Sequence, residues 1–178
     1  MITLLRLAHG LASRARAFWY RLLGVKIGGA CWLRAIEIPR GHRDIHLAVG
    51  VALDQGVVLL ISGDSRGSEK IVIGRSAYIN RSTMIDASER IEIGAGTLIG
   101  PFCYITDHDH AIGSAHDLVS KPTRIGERCW LGAHVTVLKG VTIGDDTVVG
   151  AGSVVTKSLP ARVVAVGNPA RVLREIAP

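Results

Sequence analysis

The chain has 178 residues, enough for one domain with a sizeable buried core. A composition that is 48% hydrophobic but only 4% aromatic, with 21 glycines, calls for an aliphatic interior between tight turns and speaks against a fold of large helices. The formal net charge of +6 sits within residues 1–40, where seven Arg or Lys face the single acid Glu37; this points to a local anionic surface and not to a chain built to neutralise nucleic acid.

Residues 1–24 read as a basic amphipathic helix. Leu4, Leu7, Leu11, Phe18 and Leu22 recur at roughly helical spacing, while Arg6, Arg14, Arg16 and Arg21 interrupt any run long enough to span a bilayer. No cleavable signal is evident. Two roles stay open for this segment: lying on a membrane surface, or capping the open end of the core. Cys31, Cys103 and Cys129 are an odd number without CxxC spacing, which suggests neither a disulfide framework nor a zinc knuckle and fits a reducing compartment. The expected location is therefore cytoplasmic, with peripheral contact at the inner face of the membrane as the helix's first role would require.

From residue 25 to 160 the dominant signal is a period of six. Aliphatic residues recur at Leu47, Leu53 and Leu59, at Ile73, Ile79 and Ile85, and at Ile93, Ile99 and Ile105. A longer run follows in a single phase through Ile125, Leu131, Val137, Ile143, Val149 and Val155. The phase breaks between runs mark inserted loops, the largest being an excursion near 108–123 that Lys121-Pro122 leads back into the repeat. Glycine often follows the aliphatic residue, as in Ile93-Gly94 and Leu131-Gly132, because a short strand that turns a corner every six residues needs a permissive residue close to the bend.

The hexads IGERCW, LGAHVT, VLKGVT, IGDDTV and VGAGSV resemble the hexapeptide-repeat acyltransferases. The resemblance is strongest from Trp130 to Arg174, which is similar to the C-terminal half of the maltose, galactoside and polysaccharide O-acetyltransferases, including the VTK and GNPAR elements. It implies an all-β fold: a left-handed parallel β-helix, three hexads to a triangular coil, with an N-terminal helix and a short C-terminal segment at 161–178 that completes a coenzyme A site. The left-handed winding comes from the resemblance, since it departs from the usual right-handed crossover.

The same resemblance implies acetyl transfer from acetyl-CoA to a hydroxyl of a sugar, by a homotrimer whose active sites lie between adjacent chains. The basic helix directs this reading toward polysaccharide or glycolipid biosynthesis. Such a transfer needs a base at the acceptor hydroxyl, and histidine has a suitable ordinary pKa. In the resembled family a histidine lies five positions after the inward aliphatic residue of the corresponding coil. Counting from Ile105 without a gap reaches His110, with His108 as the competitor. Asp107 and Asp109 beside them are candidates to orient an imidazole or the substrate. A backbone amide near Ala133 is the candidate donor to the oxyanion.

By resemblance Trp130, Ala133, Ala151 and Thr156 lie along the pantetheine path, and Lys157, Arg171 and Arg174 meet the nucleotide phosphates. Asn80 and Ser82 correspond to a stretch that binds sugar hydroxyls, although Ser82 stands where an asparagine often occurs. His116 and His134 are expected to be structural. No metal is expected. The competing readings are a zinc hydrolyase similar to the γ-class carbonic anhydrases, drawing ligands from His108, His110, His116 or His134, and a β-helix that serves only as a scaffold.

Overall fold

The computed structural model describes residues 2–65, 67–113 and 117–177, with side chains in the N-terminal helix from His9 onward. After that helix, α1 (Ile2–Leu22), the chain winds through short strands that stack into three parallel sheets, the faces of a triangular β-helix. The first face holds Lys26–Ile27, Ile45–Leu47, Ile71–Ile73, Ile91–Ile93, Thr123–Ile125 and Thr142–Ile143. On the second lie Trp32–Leu33, Ala52–Leu53, Tyr78–Ile79, Leu98–Ile99, Trp130–Leu131, Val148–Val149 and Val163–Gly167. Val58–Ile61, Met84–Ala87, Tyr104–Thr106, Thr136–Val137 and Val154–Val155 make the third.

Each three-residue run of the six-residue period supplies one inward side chain to each face, and the long run supplies two. Leu47, Ile73, Ile93, Ile125 and Ile143 stack in register on the first, and Leu53, Ile79, Ile99, Leu131 and Val149 on the second. Leu59, Ile85, Ile105, Val137 and Val155 do so on the third. All are at most 2% exposed, and each such burial is worth about 1.5–3 kcal/mol. Buried polar residues fill the turns between ladders: Thr97 Oγ1 donates to Gly126 O at 2.7 Å and accepts from Cys129 N at 3.1 Å. Among the described residues no buried side-chain nitrogen or oxygen lacks a hydrogen-bond partner.

The steps from first to second face and from second to third are always six residues in these ladders, as from Ile73 to Ile79 to Ile85. Only the return from third to first is longer, at Leu59 to Ile73, Ile85 to Ile93 and Ile105 to Ile125. Every phase break between the aliphatic runs is therefore an insertion at one edge of the prism, here termed the third edge.

Helix α1 covers the first coil. Ser13 and Ala17 are buried, Ser13 Oγ accepts from Leu33 N at 2.8 Å, Arg16 donates to Leu33 O at 2.6 Å, and Tyr20 donates to Ile36 O at 3.1 Å. These bonds occupy backbone groups that would otherwise form a raw sheet edge. At the other end, Val163–Gly167 turns into the antiparallel strand Ala170–Glu175, which closes the second face.

Candidate active site

The longest insertion leaves the third face at Thr106. His108–His110 pairs antiparallel with Leu118–Ser120, so a short hairpin stands out from the third edge. His116, read from sequence as structural, lies outside the described residues.

Asp107 anchors the hairpin. It is fully buried, and its carboxylate accepts Ser88 N at 2.7 Å on Oδ1 and Glu89 N at 2.8 Å and Arg90 N at 2.5 Å on Oδ2. Its Oδ1 also lies 3.0 Å from His108 Nδ1. An acid in a loop is ordinarily solvated; this one has no oxygen left for a substrate and serves to orient an imidazole.

His108 is 9% exposed and faces carboxylates on both ring nitrogens, with Nε2 at 3.8 Å from Asp86 Oδ2. Asp86 is itself buried, accepting Ser62 Oγ at 2.6 Å and Tyr104 Oη at 3.4 Å. Burial pushes the Tyr104 phenol above its usual range and the Asp86 charge adds to this, so the hydroxyl stays a donor at neutral pH. His110, two residues along the strand, projects to the same side as His108, but it is exposed and its imidazole makes no hydrogen bond among the described residues. Asp109 is exposed and pairs with Lys139 at 3.0 Å.

Both histidines line a cavity of about 470 Å³ with Asp86, Tyr104 and Leu138, and Arg40 at its wall donates from Nε to Ile61 O at 2.7 Å. Sequence reading did not bring Ser62, Asp86, Tyr104 or Arg40 to the histidines. The available signal was register: Asp86 is the partner of Thr106 on one side and of Leu60 on the other, one coil from the histidine loop.

The remaining candidates lie elsewhere on the chain. Asn80, Ser82, Ala133 and Ala151 occupy the edge between second and third faces, where Asn80 Oδ1 accepts Arg81 N at 2.8 Å and Gly152 N donates to Ala133 O at 2.8 Å. Ser82 is held there at φ 55, in line with Phe102 and His134, whose rings stack at 5.2 Å. That stack gives His134 a structural occupation. Trp130 projects from the second face, 57% exposed, in register with Val148, then Val164, then Arg174 on the closing strand. Arg171 lies on that strand, and exposed Thr156 and Lys157 follow the last strand of the third face. None of the cofactor candidates lines the histidine cavity of its own chain.

Cys103 and Cys129 face the interior, where burial pushes both thiols up, so neither is poised as a nucleophile. Among the described residues, no three His, Cys, Asp or Glu side chains converge as a metal site would require.

Known proteins carry the same organisation. The model of the bacterial transferase hexapeptide (six repeats) matches residues 122–157. A protein of Escherichia coli named for acetyl transfer in colanic acid biosynthesis, WcaF, is 39% identical over 165 residues, covering 91% of this chain and 75% of its own. Galactoside O-acetyltransferase of Escherichia coli is 44% identical over 110 residues, 60% of this chain; the matched part spans only 54% of that relative. A solved galactoside acetyltransferase in complex with coenzyme A superposes with a TM-score of 0.65 at 33% identity, covering 85% of this chain and 65% of that one. The chain belongs to the hexapeptide-repeat acyltransferase family, and its prism is the left-handed parallel β-helix of that family.

Proposed function

We propose that the chain transfers an acetyl group from acetyl-CoA to a sugar hydroxyl in polysaccharide or glycolipid biosynthesis, with His110 as general base. The observation that carries this reading is the anchored histidine hairpin: two imidazoles on one side of a strand, in a cavity large enough for a small acceptor, in a chain of this family. The names of the relatives and the coenzyme A bound in the solved neighbour support the donor.

His110 is the base in this reading because its ring nitrogens are reachable and unengaged. His108, wedged between Asp107 and Asp86, positions the strand. His110 takes the proton from the acceptor hydroxyl as the oxygen attacks the thioester carbonyl. The tetrahedral oxyanion meets the Ala133 N–H, which donates to no other described backbone group. Collapse expels the coenzyme A thiolate, which takes the proton from the imidazolium, and the acetyl ester leaves.

A complete site then needs a second copy of the chain. The histidine cavity opens at the third edge, whereas Asn80, Ser82, Ala133 and Ala151 lie on a different one. Docking these edges in a homotrimer would join acceptor, base and donor, with Trp130 and Thr156 along the pantetheine and Lys157, Arg171 and Arg174 at the phosphates. Residues 1–24 are the proposed contact with an anionic membrane: α1 contains no acidic residue, and Leu11, Phe18 and Leu22 are exposed on the side away from buried Ser13 and Ala17.

The test is acetyl transfer to a panel of sugars, with the mass in solution measured alongside. His110→Ala is expected to lower kcat by roughly 10²–10⁴-fold while acetyl-CoA affinity is kept. A trimer that binds no acetyl-CoA at millimolar concentration would overturn the acetyltransferase reading. An active His110→Ala beside an inactive His108→Ala would move the base to His108.

A further inference from the structure

We propose that the cleft between α1 and the first coil holds one hydrocarbon chain of an anionic membrane lipid, with the lipid phosphate against Arg14. The inference rests on the membrane-facing reading of α1 and is independent of the acetyl transfer.

The cleft has a volume of about 760 Å³, within the usual range of small-molecule sites. Leu11, Ala17, Ala30 and Trp32 give it an apolar lining, and Gly10, Gly29 and Gly50 leave its walls without side chains. A Cβ at Gly10 would touch the Trp32 ring at 3.9 Å, an ordinary van der Waals contact, and would meet no backbone of the first coil within 4 Å. Arg14 stands at the wall with no hydrogen bond or ion pair among the described residues. The neighbouring arginines are committed: Arg16 donates to Leu33 O, and Arg21 donates to Ile27 O and to Gly29 O at 2.6 Å.

Leu11 connects this cleft to the outer surface of the helix. It lines the cleft and, 62% exposed, shares its side of the helix with Phe18 and Leu22, which follow seven and eleven residues later. A helix lying on a bilayer through Phe18 and Leu22 would bring the mouth of the cleft to the lipid, where a chain entering past Leu11 leaves its phosphate beside the one uncommitted guanidinium of the pair Arg14 and Arg21. The absence of acidic residues in α1 selects an anionic head group.

The probe is dodecyl phosphate below its micellar concentration, added to the full chain and followed by tryptophan fluorescence and native mass spectrometry. Dodecyl maltoside tests the chain with a neutral head, and inorganic phosphate tests the head alone. Dodecyl phosphate is expected to bind saturably, one per chain, at least about tenfold more tightly than dodecyl maltoside, and inorganic phosphate not to compete. Gly10→Leu, which fills the cleft while raising helix propensity, should weaken it roughly tenfold. Arg14→Ala should remove the preference for phosphate and leave dodecyl maltoside affinity unchanged.

Binding that is equal in wild type and Gly10→Leu, competition by inorganic phosphate alone, or no saturable binding would each overturn the proposal. The membrane reading is judged separately, on vesicles containing phosphatidylglycerol. Phe18→Ser with Leu22→Ser should abolish vesicle binding without changing dodecyl phosphate affinity. Vesicle binding by a chain whose cleft stays empty would leave the membrane contact standing and sink only the cleft.

Discussion

Replacing Asp107 by asparagine keeps the shape of the side chain and removes its charge, which isolates what the carboxylate contributes. In either amide orientation two of the four donors around it, Ser88 N and His108 Nδ1 or Glu89 N and Arg90 N, would face an NH₂ group that cannot accept. A hydrogen bond to a charged group is worth about 1.5–3 kcal/mol, and an unsatisfied buried donor costs about 1–3 kcal/mol. With partial relaxation the expected loss is about 3–5 kcal/mol, a large share of the roughly 5–15 kcal/mol that holds an ordinary domain folded. Urea unfolding followed by circular dichroism, at one fixed protein concentration for both proteins, would show it as a lower midpoint; the melting temperature should fall by on the order of 10 °C. The hairpin would also loosen, so kcat should drop with little change in acetyl-CoA affinity. A loss below about 1 kcal/mol with full activity would refute the view that this carboxylate fixes the histidine loop.

Gly94→Ala should destabilise by about 1–3 kcal/mol or more, since its Cβ would lie 2.4 Å from backbone atoms of Gly126 in the next coil; Gly152→Ala, with open space but a φ of +72, should cost only about 1 kcal/mol, and equal costs in thermal melts would contradict this distinction. Burial pushes all three thiols up, so native protein should react slowly with a disulfide reagent at pH 8, half-buried Cys31 first. Because the folded thiols bind their protons more tightly than the unfolded ones, this part of the stability is complete below the ordinary thiol range and lost as pH rises above it, which melts taken from pH 8 to 11 would register. Trp130→Ala should weaken acetyl-CoA binding about tenfold in calorimetry while leaving the melting temperature within a few degrees, because the indole is 57% exposed; unchanged affinity would remove it from the donor path.

The period of six made the ladders legible in advance, because an inward aliphatic residue at every corner is a requirement of the coil, and the triplets such as Ile73, Ile79 and Ile85 each proved to be one residue per face. Helix α1 was legible as a helix, but its capping role depends on contacts such as Ser13 with Leu33 that no local pattern encodes. In the site, the histidine pair announced itself by composition and resemblance. What the sequence did not reveal was the difference between its members: Asp86 reaches His108, and the Ser88, Glu89 and Arg90 amides hold the adjacent Asp107, only because the coils stack, and residues one coil apart are some twenty positions apart in the chain. Arg40 and Ser62 escaped notice for the same reason.

The confinement of every length change to the third edge divides the prism into a fixed gauge and a free margin. Two of its edges admit no insertion without throwing the ladders out of step, whereas the third already absorbs segments as different as 88–90 and 107–122 in the same stack. The cavity that holds both histidines opens at that margin. Loops there can be exchanged between related chains as cassettes, changing what the cavity admits while the other two edges keep their spacing.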